Sequence, residues 1–409
     1  MAISDETVKR AIPWALAILV AAAVVWYEIP GSNQFTPEQS AIPKKWQFKA
    51  SARITGALAL ADDGTLYAAS EDGFVYALDS SGKLLWKFEA GPMAGGPAIG
   101  ADGTIYVSNE KQQIYAIDRS GTQLWMTGGG PYADQNTGNT AAAIDSKYLY
   151  TFWRGSLRAL GLHDGSAEWW AGVGFKNFAS VTILPNSLVV YPGVGRVEAV
   201  GSEGKTTWEY PAPNPPTTVD TLLANNGHPR SGNFWLESGI AVATDGTMYA
   251  GAGDARLVGL SSDGGYLWEF KTKPGSVNRA TPVIAEDGTI YFASGDGSLY
   301  ALNADGTQKW SLDTRAASVA TPMLAADGTI YVANGGWLIA VSPEGKILAQ
   351  VPLDAGVDSS PTLAPDGTIY VASLAGKITA FAGTHGRLMN SPWPKFQGDL
   401  ANSGRAPSW

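Results

Sequence analysis

The chain has 409 residues, of which 45% are hydrophobic and 16% charged, so it can bury a large core and is not expected to be disordered. Its formal net charge of −9 disfavours nucleic acid and anionic membrane surfaces as main partners of the folded part, because such binders present a basic face. The absence of cysteine excludes disulfides, thiolate metal sites, haem attachment through cysteine and a lipid on an N-terminal cysteine.

The N-terminal region predicts a membrane anchor. Residues 11–27, AIPWALAILVAAAVVWY, form an uncharged apolar run near the minimum length of a membrane-spanning helix, with aromatic residues near both ends. Lys9 and Arg10 precede this run, which predicts that residues 1–10 stay in the cytoplasm and that the rest is exported. A cleaved signal peptide is the alternative, but the sequence YEIPGSNQF that follows lacks a small-residue cleavage site. We therefore expect a single-pass protein of the cytoplasmic (inner) membrane, folded on the periplasmic or extracellular side.

Residues 28–43 contain proline, glycine, serine and glutamine without periodicity and predict a linker. After it, a unit of about 40 residues recurs eight times, the period of a propeller blade with four antiparallel strands. Two of the units are degenerate and begin at Asp145 and Pro185. The other six carry Asp-Gly-Thr, an apolar residue and tyrosine, starting at Asp63, Asp102, Asp245, Asp287, Asp327 and Asp366. We predict an all-β, eight-bladed β-propeller over residues 44–409.

The local pattern within a unit also favours strands. Asp-Gly tolerates left-handed backbone, so between β-rich runs it specifies hairpins and not helices. The first strand of each unit is rich in small residues, as in ALALA at 57–61 and ATPVIA at 280–285. Small side chains suit the crowded axis of a radial array, so we expect these strands to be innermost.

A tryptophan recurs in the last strand of seven units. One buried indole contributes on the order of 150–250 Å² of contact area, and a residue repeated at one blade position is typical of packing and not of a single ligand site. We interpret these residues as wedges between blades. They are Trp46, Trp86, Trp125, Trp169, Trp208, Trp268 and Trp310.

The least repeat-like part of the ring is an insertion at residues 211–235, PAPNPPTTVDTLLANNGHPRSGNFW. Loops of this length without secondary structure are uncommon unless they bind something or are disordered. Its apolar, aromatic and arginine side chains are candidate anchors for a protein partner. They are Leu222, Leu223, Arg230, Phe234 and Trp235. An irregular loop that packs on its own propeller face is the alternative interpretation.

The eighth unit supplies three strands and lacks the final one. KKWQFKA at residues 44–50 resembles LLWKFEA at residues 84–90, so we expect the N-terminal strand to complete the last blade. Closure of the ring in this way would protect sheet edges that could otherwise pair with other chains.

The pattern Ala-x-Asp-x-x-Gly-x-x-x-Trp, as in Ala77, Asp79, Gly82 and Trp86, resembles the tryptophan-docking repeat of PQQ-type (quinoprotein-like) β-propellers. WPKFQGDLANSGR at residues 393–405 resembles a tail common in that family. The resemblance implies one of two functions: a quinoprotein dehydrogenase that holds PQQ and Ca²⁺, or a non-enzymatic scaffold of the BamB-like branch.

The sequence favours the scaffold. Dehydrogenases of the family commonly use a disulfide against the quinone, which a chain without cysteine cannot form. The aspartates lie mostly in Asp-Gly turns, and none forms a closely spaced calcium loop. We expect no catalytic residue, cofactor or metal, and a scaffold that binds other envelope or membrane proteins and no nucleic acid. The alternative is a PQQ-dependent dehydrogenase with PQQ and Ca²⁺.

Overall fold

The computed structural model describes residues 42–406 apart from 94, 130–141, 154–155, 173–179, 194–195, 211–235, 254, 275, 277, 318–319 and 384–385. The predicted cytoplasmic tail, the predicted membrane helix and most of the predicted linker lie outside the described residues. In the part that is described, no helix is long and apolar enough to cross a membrane.

The described residues form 32 strands in eight four-stranded antiparallel sheets, which confirms the predicted blades. The first strand of the chain is β1 (Lys44–Lys49). Blade 1 contains β2 (Ala59–Leu60), β3 (Leu66–Ala69), β4 (Phe74–Leu78) and β5 (Leu84–Glu89). Blade 2 contains β6 (Ala98–Ile99), β7 (Ile105–Ser108), β8 (Gln113–Ile117) and β9 (Gln123–Gly128). Blade 3 contains β10 (Ala143–Ile144), β11 (Tyr148–Trp153), β12 (Ser156–Gly161) and β13 (Ala167–Gly172). Blade 4 contains β14 (Thr182–Ile183), β15 (Val189–Gly193), β16 (Arg196–Val200) and β17 (Thr206–Tyr210).

The second half of the ring repeats the same order. Blade 5 contains β18 (Leu236–Val242), β19 (Met248–Ala252), β20 (Arg256–Leu260) and β21 (Tyr266–Lys271). Blade 6 contains β22 (Val283–Ile284), β23 (Ile290–Ala293), β24 (Ser298–Leu302) and β25 (Gln308–Asp313). Blade 7 contains β26 (Met323–Leu324), β27 (Ile330–Asn334), β28 (Trp337–Val341) and β29 (Ile347–Pro352). Blade 8 contains β30 (Thr362–Leu363), β31 (Thr368–Ala372) and β32 (Lys377–Ala382), and β1 is its fourth strand.

The turn between β2 and β3 shows why the Asp-Gly tag folds as it does. Gly64 has a φ of 83°, a left-handed conformation that glycine adopts without a Cβ clash, and its N–H donates to the Ala61 carbonyl at 3.0 Å. Asp63 Oδ1 accepts the N–H of Thr65 at 2.9 Å. The aspartates of the other five tags make the equivalent bond at 2.9–3.0 Å. The tag therefore encodes a hairpin turn in six blades.

The hydrophobic core lies between neighbouring sheets. Alternate residues of β3 point to opposite faces, as the two-residue period of a strand requires. Leu66 packs in a buried cluster with Tyr370 of blade 8, whereas Tyr67 packs in a cluster with Ile105 of blade 2. The middle strands of each blade are therefore buried on both faces.

The two ends of the repeat array meet in blade 8. β1 pairs with β32 antiparallel, with Trp46 opposite Ala380. Blade 8 also contacts blade 1, where Thr362 Oγ1 donates to the Leu58 carbonyl at 3.1 Å. The N-terminal strand thus occupies the position that the sequence predicts for it.

The up-and-down order of strands gives the ring two different faces. Turns from first to second strand and from third to fourth strand lie at one end of each sheet, which we term the turn face. Loops from second to third strand and connections to the next blade lie at the other end, the connection face. The insertion at residues 211–235 joins β17 of blade 4 to β18 of blade 5, so it begins and ends at the connection face.

Candidate functional site

The five predicted partner anchors, Leu222, Leu223, Arg230, Phe234 and Trp235, lie outside the described residues. What the structure describes is the support on either side of the insertion. The segment leaves the end of β17, the outer strand of blade 4, and enters β18, the inner strand of blade 5.

Tyr210 is the last described residue before the insertion, and it is buried with 6% of its surface exposed. Its ring stacks on that of Tyr266 of blade 5, with centroids 6.3 Å apart and planes 15° apart. Burial raises the pKa of the Tyr210 hydroxyl above its usual value. The insertion therefore starts from a neutral aromatic residue that is fixed between blades 4 and 5.

A buried ion pair lies beside this aromatic stack. Arg256 Nη1 and Glu269 Oε2 are 3.0 Å apart, and the two side chains are only 7% and 9% exposed. Lys271 Nζ lies 3.5 Å from the other carboxylate oxygen, but its side chain is 60% exposed. Burial lowers the pKa of Arg256, and the charge of Glu269 opposes this shift. Removing one partner of a pair buried this deeply is costly, so Arg256 and Glu269 act as a unit beside the point where the insertion begins.

The seven repeated tryptophans all lie over a glycine of the following blade. Each glycine belongs to the turn between the third and fourth strands and has a positive φ. A Cβ on these glycines would come within 2.4–2.8 Å of the indole, so only glycine fits beneath it. The pairs are Trp46–Gly82, Trp86–Gly121, Trp125–Gly165, Trp169–Gly204, Trp208–Gly264, Trp268–Gly306 and Trp310–Gly345.

Five of the seven indoles also donate a hydrogen bond to a backbone carbonyl of that turn, at 2.7–2.9 Å. Within the described residues, the buried Nε1 groups of Trp169 and Trp208 have no such partner. The stacking on glycine is the same in both groups, so packing and not the hydrogen bond is the feature that all seven share.

Blade 7 has no tryptophan at this position. Ala349 pairs with Ala340, where blade 6 has Trp310 paired with Ala301. Ile42, which precedes β1, is 4% exposed and packs in one cluster with Ala349 and Tyr331. Apolar volume from the N-terminal segment therefore fills this junction, which the sequence pattern of the repeats did not indicate.

The C-terminal segment, residues 387–406, is the feature whose role the sequence left undefined. Its first part bonds to the inner strands of blades 7 and 6, and its second part bonds to those of blades 1 to 4. The inner-strand amides that donate to it are Leu60, Ile99, Ile144, Ile183, Ile284 and Leu324, at 2.8–2.9 Å. One short segment thus links six blades at the hub.

Lys395 lies in the loop between these two parts and is fully buried. Its Nζ donates to the carbonyls of Phe396 and Asp399 at 3.1 and 2.8 Å and to Asn402 Oδ1 at 2.5 Å. Asn402 Nδ2 in turn donates to Leu58 O and Pro97 O, in blades 1 and 2. A lysine that sequence patterns would place on the surface is instead the centre of a buried polar network.

Burial lowers the pKa of Lys395 to about 8, and the charge of Asp399 opposes the shift. Between this value and the unfolded value near 10.5, the unfolded chain binds more protons than the folded chain. The contribution of Lys395 to stability must therefore rise with pH in this window. We expect the difference in unfolding free energy between wild type and Lys395→Met to shift by about 2 kcal/mol in favour of wild type from pH 7.5 to 9.5. Denaturant titrations of both proteins at the two pH values test this, since titrating tyrosines affect both equally; a constant difference would contradict it.

Residues that could bind a metal are dispersed. In the described part of the chain, no group of three or more histidine, aspartate or glutamate side chains is arranged to hold a metal ion. His163 is exposed in the turn before β13, and the other two histidines, at 228 and 385, lie outside the described residues.

A family model described as outer membrane protein assembly factor BamB matches residues 43–206 and 193–393 of the chain. Among solved structures, BamB from Moraxella catarrhalis is similar, with a TM-score of 0.67 and 17% identity over 85% of this chain and 99% of that one. A computationally designed protein, Ika8, is similar with a TM-score of 0.64 and 12% identity over 83% of this chain and 99% of that one. At these identities the structures show the fold alone. A search of curated proteins finds no match.

Proposed function

Since the chain belongs to the family described as outer membrane protein assembly factor BamB, we propose that it is a non-enzymatic scaffold of the cell envelope that binds other proteins. The family match covers the repeats from blade 1 to blade 8, which confirms the resemblance to PQQ-type repeat propellers of BamB-like character. This match is the observation that carries the proposal. A propeller scaffold acts by presenting loops from a rigid ring, so its function depends on which loops depart from the repeat.

The insertion at residues 211–235 is the contact that we assign to the partner. It interrupts the repeat between blades 4 and 5, and its two aromatic residues, two leucines and one arginine are residue types that anchor protein interfaces. Tyr210, Arg256 and Glu269 form a buried base between blades 4 and 5 at the point where the insertion begins, which supports a loop that presents these residues from a fixed position.

We infer that the ring is closed by β1 and tethered to the membrane by residues 11–27. The pairing of β1 with β32 supports closure. The apolar composition of residues 11–27 supports the anchor, which would hold the propeller on the periplasmic or extracellular side. Recovery of an intact peptide spanning Met1 to Tyr27 from the mature protein would establish that the anchor is retained.

Site-specific photocrosslinking in intact membranes tests the partner contact. Crosslinkers at Leu222, Arg230 and Trp235 are expected to capture the same envelope protein. A crosslinker at Leu348, which is 46% exposed on the outer strand of blade 7, is the control and should capture none. Replacing Leu222 and Leu223 by aspartate should weaken the captured complex at least about tenfold, because charges are excluded from interface centres.

Two results would overturn the proposal. Crosslinks of equal yield at Leu348 and at the insertion would show that the contact is not specific. Binding of PQQ with Ca²⁺, with a quinone absorbance and dye-linked alcohol oxidation by the purified protein, would show that the chain is a dehydrogenase.

A further inference from the structure

We propose that residues 387–406 form a detachable plug on the hub, which docks onto the assembled blades and is locked by the hydrogen bonds of the buried Lys395 side chain. This conformational device does not depend on the proposed partner binding.

The path of the plug needs a ring that already exists. The Met389 N–H donates to the Leu324 carbonyl of blade 7, and the Ile284 N–H of blade 6 donates to the Trp393 carbonyl, each at 2.9 Å. After the Lys395 loop, the carbonyls of Leu400 and Ala401 accept from blades 1 and 2. Inner strands of blades that are not adjacent in sequence must therefore be in place before the plug can bind all of them.

The bonds of the plug are separate from those that hold each blade together. In blade 1 the Leu60 N–H donates to the Leu400 carbonyl of the plug at 2.8 Å, whereas the next amide, Ala61, donates to Thr65 of its own blade at 2.9 Å. Blade 4 shows the same division, since Ile183 donates to Gly404 and Leu184 donates to Leu188, both at 2.8 Å. Removal of the plug would break one set of bonds and leave the other intact.

The lock is the polar network inside the plug. Lys395 Nζ donates to two carbonyls of its own loop and to the side-chain oxygen of Asn402, and Asn402 donates to carbonyls of blades 1 and 2. Asn402 and Gln397 both have positive φ values, 55° and 58°, so the loop holds a conformation that few residues favour. Asp399 faces the same loop and is bonded by the N–H and hydroxyl of Ser403. Without the Lys395 side chain, the carbonyls of Phe396 and Asp399 and the side-chain oxygen of Asn402 would lose their shared donor, which favours release of the loop.

The long sequence separation makes docking a late event. Leu60 and Leu400 are at opposite ends of the ring-forming chain, and closing such a loop costs entropy that is recovered only when the contacts form together. Release of the plug from a folded ring is then a local opening, with a smaller change in exposed surface than global unfolding.

Native-state hydrogen exchange on the full chain tests the proposal with a matched control in each blade. In Lys395→Met, the plug-bonded amides of Leu60, Ile183, Ile284 and Leu324 should exchange roughly ten- to a hundredfold faster than in wild type. The neighbouring amides Ala61, Leu184, Ala285 and Ala325, which bond within their own blades, should change by less than about threefold. Asn402→Gly removes the bridge to blades 1 and 2 while permitting the positive φ, and it should reproduce the pattern.

Two outcomes would overturn the proposal. If both sets of amides accelerate by the same factor, the segment is part of the global folding unit; if neither set changes, Lys395 is not the lock. Wild-type protein decides the matter if a variant does not fold. In rising denaturant below the unfolding transition, its plug-bonded amides must exchange through an opening with a weaker denaturant dependence than their neighbours, and identical dependences would reject a separate plug.

Discussion

Truncation of Trp125 to alanine is expected to lower the free energy of unfolding by about 3–5 kcal/mol, the usual cost of removing a buried large aromatic side chain. Trp125 is 8% exposed, lies over Gly165 of blade 3 and donates its indole N–H to the Leu162 carbonyl at 2.9 Å. Its ring also contacts Tyr106 of its own blade, with centroids 5.8 Å apart. One substitution therefore removes packing within blade 2 and between blades 2 and 3. Chemical denaturation at pH 7 measures the effect.

Trp170 supplies a matched control on the outer strand of the next blade. Its side chain is 62% exposed, so Trp170→Ala should change the unfolding free energy by no more than about 0.5 kcal/mol. An equal loss of unfolding free energy for Trp125→Ala and Trp170→Ala would mean that the position of a tryptophan between blades does not determine its contribution to stability.

A double-mutant cycle separates the wedge from the glycine beneath it. Gly165 has a φ of 69°, and a Cβ there would come within 2.6 Å of the Trp125 ring, so Gly165→Ala adds a clash to the backbone strain. In the Trp125→Ala background the clash is absent, and the added cost should fall to that of strain alone. Gly64→Ala measures that strain, since Gly64 has a φ of 83° and a Cβ added there would meet no atom within 4 Å.

The sequence predicted the elements that are determined by residues close together in the chain. Each blade repeats its own turn, its tyrosine and its tryptophan within about 40 residues, so period and residue type define the sheet without knowledge of distant contacts. The match between KKWQFKA and LLWKFEA predicted the place of β1, because a strand at a fixed blade position keeps the same pattern.

The elements that escaped prediction depend on contacts between distant residues. The sequence around Lys395 does not indicate burial, because the loop that contains it is held by bonds from Asn402 to Leu58 and Pro97, which are 344 and 305 residues away. Ile42 packs in one cluster with Ala349 of blade 7, where the repeated tryptophan is absent, but it comes from the opposite end of the chain. The pair of Arg256 and Glu269 is 13 residues apart and would be read as two exposed charges on neighbouring strands.

Glu269→Gln is expected to destabilise the protein by about 3 kcal/mol, because it removes the carboxylate charge 3.0 Å from the buried Arg256 guanidinium. The isosteric change keeps the shape of the side chain, so the loss reports charge and not volume. Equilibrium unfolding measures it, and Arg256→Met combined with Glu269→Leu should recover most of the loss, since replacing both charges by apolar groups leaves no charge buried at this position.

The exposed pair of Glu203 and Lys205 shows why burial and not distance determines this effect. Its atoms are closer, at 2.7 Å, than the 3.0 Å of Arg256 and Glu269, but its side chains are 72% and 82% exposed. Glu203→Gln should therefore leave stability unchanged within error. A loss at Glu203 equal to that at Glu269 would contradict the argument. Arg256 and Glu269 lie beside Tyr210, from which the insertion starts. Glu269→Gln should therefore also weaken crosslinking through the insertion, measured under conditions in which the ring remains folded. Trp170→Ala is the control and should leave that crosslinking unchanged.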